Sequence, residues 1–216
     1  MLSAHPETRA ASWARSPLVY VLPYAAILLG IYALHRAWIA VLVYQAGMLA
    51  VIVADPQRRA WRPPVRPGWV ATAVVVLGVL AGPAFAIAWP WLGVSDSLLP
   101  RLAELGLGGA GWGWFLVSFS VINPVMEELF WRGGAGGAGS ERMSRAGDLL
   151  FAGYHVLVLA LFLPTLRVFV AFAMLWLAAR LWRLVSARTG NLIASFISHE
   201  FAAVGIASAL WDFTKR

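Results

Sequence analysis

Two adjacent carboxylates, Glu127 and Glu128, close an apolar run that begins near Gly111, and Arg132 follows one turn later. Acidic residues inside a membrane-spanning stretch are costly, so such a pair reads first as functional. On a helix Glu128 and Arg132 lie four positions apart and share a face, the spacing of an ion pair. Glu127 is about 100° further round the same helix and can point elsewhere. One carboxylate can then be held while its neighbour stays free for chemistry. The alternative is a pair that reaches the interface from a helix end along its aliphatic stems.

Two of the four histidines, His155 and His199, also fall inside apolar runs. Each sits roughly eight residues past the start of its run, about 12 Å deep at the rise of an α-helix. The carboxylates, on a run of opposite direction ending near Arg132, come about 6–8 Å below the same face. Two glutamates and two histidines thus reach similar depth from separate runs. A carboxylate in a low-dielectric site can take a proton from water, and a histidine can share that duty or donate to an oxyanion. Taken singly, a buried histidine is more often a satisfied core residue or a helix–helix hydrogen bond.

The elements that position these residues are dictated by composition. The chain of 216 residues is 61% hydrophobic and 12% charged, which is too little polar surface for a soluble domain of that size. Apolar runs at about 17–34, 38–54, 69–89, 111–131, 147–163, 166–185 and 191–210 each approach the ~20 residues needed to cross the hydrocarbon. The expected fold is all-α, a polytopic transmembrane bundle of about seven helices. It comprises an arm at 1–16, a first set of helices with an interfacial segment at 17–110, a core at 111–210 and a tail at 211–216. Pro23, Pro83 and Pro124 lie inside spans, where neighbours can satisfy the freed carbonyls. The mixed pattern from Ser95 to Leu105 fits either a short interfacial helix or a loop.

Charge and cysteine content narrow the functions. The absence of cysteine excludes disulfides, thiol nucleophiles and cysteine metal sites. The net charge of +7 comes mostly from arginines in connections; it is a topology signal and requires no nucleic acid. With seven spans, the N-terminus and the second, fourth and sixth connections hold twelve of the seventeen basic residues. The positive-inside rule then puts the N-terminus in the cytoplasm and the C-terminus outside. A proton-conducting relay would need polar residues through the other leaflet, and the outer halves of these runs are almost wholly apolar.

The stretches Glu127-Glu128-Leu-Phe-Trp-Arg132, Phe151-Ala-Gly-Tyr-His155 and Arg188 through His199 resemble the CAAX-protease and bacteriocin-processing family of intramembrane endopeptidases. The family pattern is EExxxR, FxxxH and Hxxx(N or D) on successive core helices, and the resemblance covers roughly 111–210, making it a catalytic-type core. It implies a protein of the bacterial inner membrane acting on a membrane-associated or lipidated peptide or a C-terminal sorting segment. By resemblance Glu127 and His155 would activate water, His199 would help hold the oxyanion, and Arg132 would fix Glu128. Neither metal nor other cofactor is expected, although a Glu/His/His set could hold zinc with an open position. The family's Asn or Asp four residues after the last histidine is Ala203 here. Asn123, four residues before Glu127, is the first candidate to supply the missing donor, and Ser195 the second. The departure also fits a non-catalytic member, an immunity, scaffold or peptide-binding membrane protein.

Overall fold

A computed structural model describes residues 13–59, 68–94, 98–133 and 141–215. Outside them lie most of the N-terminal arm, the later arginines of the 55–66 loop, Ser95–Ser97 and the glycine tract after Gly133. Among the described residues the chain is all helical. The long helices are α1 (Pro17–Ala33), α2 (Ala37–Ala54), α3 (Trp69–Leu92), α5 (110–132), α6 (Glu141–Leu159), α7 (Thr165–Thr189) and α8 (Ile193–Lys215), with a short α4 (Leu98–Glu104) between α3 and α5. Thus part of the segment that fitted either a helix or a loop is helical. Of these, α2, α3, α7 and α8 are long and apolar enough to cross a membrane by length and composition, and α1 is a shorter apolar helix.

Local sequence explains the boundaries. Ser16 accepts a hydrogen bond from the Leu18 backbone N–H at 3.3 Å, and Pro17 starts α1, a pairing suited to a helix N-terminus. The helix α3 stops at Gly93, whose φ of 61° is the left-handed cap that glycine adopts without strain. The largest departures from the hydropathy pattern fall at the start of α6 and the end of α8. α6 begins at Glu141 rather than near 147, because its first turns are polar yet still helical. α8 continues to Lys215 through residues expected as a tail, anchored where Trp112 Nε1 donates to Thr214 Oγ1 at 3.0 Å.

The exterior is strongly apolar, and a cluster of polar side chains is buried among the apolar ones of the core. Ile87 is 82% exposed and Trp69 81%, while Asn123, Glu127, Glu128, Arg132, Asp148 and Ser198 are buried. An apolar exterior that keeps costly polar side chains inside is what lipid as solvent selects. The chain is an integral membrane protein.

Polar side chains tie the core together. Arg183 Nε and Arg180 Nη1 reach Asp148 at 2.8 and 3.3 Å, joining α7 to α6. Tyr24 and Tyr32 of α1 donate to the Leu150 and Leu157 carbonyls of α6 at 2.8 and 2.6 Å. Arg58, expected as a loop cation, is instead 7% exposed and donates to the Phe130 and Ala14 carbonyls, so it clamps the end of α5.

The closest seam joins α3 to α8. A Cβ on Gly78 would strike the Ser198 backbone, and one on Gly82 would come within 2.7 Å of Gly205 Cα. Ser198 donates to the Val74 carbonyl at 2.7 Å and accepts from Trp182 Nε1 at 3.0 Å, so α7 joins the same junction. His199 is the next residue. Gly78→Ala is expected to cost about 1–3 kcal/mol by overpacking, because backbone cannot yield as a side chain can. A melting midpoint in detergent equal to wild type would show that the seam is looser than this.

Candidate active site

The helix α5 is not a uniform α-helix. It widens into π-helical turns at Ser118–Ile122 and Glu128–Arg132, on either side of the α-helical Asn123–Glu127. Pro124 removes one backbone donor in this region, and such widened turns are frequent at functional sites. The wide turn still brings Arg132 Nη1 to Glu128 Oε1, at 2.5 Å. Both side chains are almost wholly buried, and the guanidinium carbon lies 5.1 Å from the Phe151 ring centroid and 5.0 Å from that of Trp182. Two aromatic rings therefore share the cation with one carboxylate.

Glu127 is 2% exposed and makes a different set of contacts. Its Oε1 accepts from Asn123 Nδ2 at 2.9 Å, from Tyr44 Oη at 3.1 Å and from the Tyr154 hydroxyl. Its Oε2 faces His199 Nε2 at 3.6 Å. The other ring nitrogen, His199 Nδ1, is 3.0 Å from Glu128 Oε1. The imidazole therefore spans the two carboxylates, and it stacks on Trp182 with centroids 4.2 Å apart.

His155 is placed differently. Its Nδ1 is 2.8 Å from the Phe151 carbonyl, which can only accept, so Nδ1 carries the proton and Nε2 keeps a lone pair. The ring stacks on Tyr154 at 4.0 Å and meets the edge of Phe151, which also contacts His199. Among the described residues no hydrogen bond joins His155 to either glutamate. The structure thus brings Glu127, Glu128, Arg132, Asn123 and His199 into one connected cluster and sets His155 against the same aromatic wall.

The two candidates to replace the polar group missing at Ala203 are both engaged. Asn123 spends an amide proton on Glu127, and Ser195 donates to the Leu192 carbonyl at 3.0 Å while accepting from Ser186 at 2.9 Å. Sequence reasoning missed Tyr44, Tyr154 and Gln45. A hydroxyl or amide inside an apolar run needs a partner, and that requirement was the available signal. Among the described residues no three His, Asp or Glu side chains form a metal-ligand set, and the Arg132 cation already sits on Glu128.

The fold and site together define a polytopic helical membrane protein with a buried carboxylate–imidazole centre. A family model described as Rce1-like, type II CAAX prenyl endopeptidase, matches residues 109–204, which span α5 to the middle of α8 and include every motif residue. Over this core the chain is similar to the CAAX-protease family, a family of proteases. No curated protein and no solved structure matches it.

The burial of the cluster carries a stability prediction. Glu128→Gln leaves Arg132 buried without its counter-charge and is expected to cost about 3–5 kcal/mol. Glu127→Gln keeps an oxygen for the three donors and should shift the melting midpoint far less. Equal midpoints for the two variants would remove the division of labour.

Proposed function

We propose that this protein is an intramembrane endopeptidase in which Glu127 is the base that activates water. The observation that carries this reading is the asymmetry of the pair: Arg132 neutralises Glu128, whereas Glu127 turns its Oε2 toward an imidazole 3.6 Å away. Oε2 accepts a proton from water, the oxygen of that water bonds to the peptide carbonyl carbon, and the carbonyl oxygen becomes the oxyanion. The same proton then passes from Glu127 to the departing amine nitrogen as the C–N bond breaks. His155, with its Nε2 lone pair unspent, is the second acceptor oriented for water. His199 donates from Nε2 to the oxyanion while Nδ1 stays on Glu128. No metal takes part in this scheme.

The substrate is a membrane-associated peptide: a lipidated C-terminus, a leader peptide or a C-terminal sorting segment. The apolar exterior and the family support that choice. The arginine distribution supports a bacterial inner-membrane protein with its N-terminus in the cytoplasm. A periplasmic-activity reporter fused after Arg216 should therefore be active; a reporter active only in the cytoplasm would reverse the orientation.

The chemical test is cleavage of a membrane-associated peptide by purified protein. Glu127→Gln should abolish turnover while the protein still melts cooperatively, and His199→Ala should lower it by about 100-fold or more, the cost of an oxyanion donor. Ala203→Asn should raise turnover by adding a donor one helical turn from His199. Undiminished turnover by Glu127→Gln would end the reading. Activity created from nothing by Ala203→Asn would mark the natural protein as a binder.

A further inference from the structure

We infer that α2, which lies outside the family-matched stretch, completes the site, and that Tyr44 and Tyr154 are positioning residues that reserve one oxygen of Glu127 for chemistry. The inference rests on the protease reading and says which oxygen acts. Tyr44 from α2, Tyr154 from α6 and Asn123 from α5 all donate to Oε1. A carboxylate held by three donors on one oxygen cannot rotate, and its other oxygen is the one left to take a proton. That oxygen, Oε2, faces His199.

Each donor is itself oriented by a further contact. Trp131 Nε1 donates to Tyr44 Oη at 3.0 Å, so the tyrosine proton is directed at Glu127. Gln45 Nε2 lies 3.4 Å from Asn123 Oδ1 and 3.5 Å from Ser118 Oγ, which fixes the amide with its nitrogen toward Glu127. Tyr44 and Tyr154 pack with ring centroids 5.5 Å apart, and both are buried. Adjacent residues on α2 thus control both the phenol and the amide that hold the base. In a water-poor core such oriented dipoles act without reorganising as the reaction proceeds.

The obvious alternative is that the tyrosines only fill space, and phenylalanine separates the two roles because it keeps the ring and removes the hydroxyl. The experiment uses the full chain in detergent or lipid discs, one peptide that wild type cleaves, and the variants Tyr44→Phe, Tyr154→Phe and Glu127→Gln alone and combined. Each phenylalanine variant should lower kcat about 10-fold and leave KM within about twofold, and the pair should lose about 100-fold, as expected for a misplaced base. The melting shift from each phenylalanine should also shrink when Glu127 is already glutamine, because the partner is then weaker. Wild-type kcat in either single phenylalanine variant overturns the inference. So do melting shifts that add fully. If wild type cleaves no peptide, the protease reading fails; the melting cycle still decides whether α2 holds Glu127.

Discussion

A charge buried in the membrane has to be matched where it lies, and the Arg132–Glu128 pair is where this protein meets that requirement. The guanidinium sits between Phe151 and Trp182 and against Glu128, so α5, α6 and α7 are each committed to one cation. His199 reaches the same carboxylate from α8. Removing the arginine would do more than open a gap. It would leave an uncompensated anion beside Glu127, where both carboxylates share one imidazole. In the proposed mechanism the pair therefore supports the chemistry of its neighbour without taking part in it.

The backbone of α5 is adapted to this arrangement. A regular α-helix would wind Glu127 and Glu128 through a tighter turn, whereas the π-helical stretch after Glu127 takes more residues per turn. Asn123 stays within one α-helical turn of Glu127 and can reach it. Arg58 holds the far end by capturing the Phe130 carbonyl, one of those that a helix end leaves without a partner. Helix winding, capping and the buried ion pair all act on the same few residues.

Much of this was legible in the sequence, and what was not has a physical reason. Apolar length is dictated by bilayer thickness, so the long helices could be read directly. Glu127, Glu128, Arg132 and His199 stood out because charge and imidazole are expensive in hydrocarbon. Tyr44 and Gln45 did not, because one tyrosine or amide in an apolar run raises little alarm, and its partner is 83 or 78 residues away. Asp148 and the polar first turns of α6 lowered the local hydropathy and hid the true start of the helix. Their cost is met by Arg180 and Arg183 on the next helix, which no one-dimensional profile records. Arg58 counted as a loop charge for the same reason: hydropathy cannot see that a carbonyl awaits it.

The α3–α8 seam bears on how a peptide could reach Glu127. At Gly78 and Gly82 the two helices meet backbone to backbone, with Ser198 bonded across the junction. A lateral gate opens by swinging side chains aside or by sliding one helix on another. Here there is no side chain to swing, and sliding would break the serine bond and drag His199 out of register. That wall of the bundle is a hinge-free partition, so under the protease proposal a peptide arriving from the lipid would enter through another side.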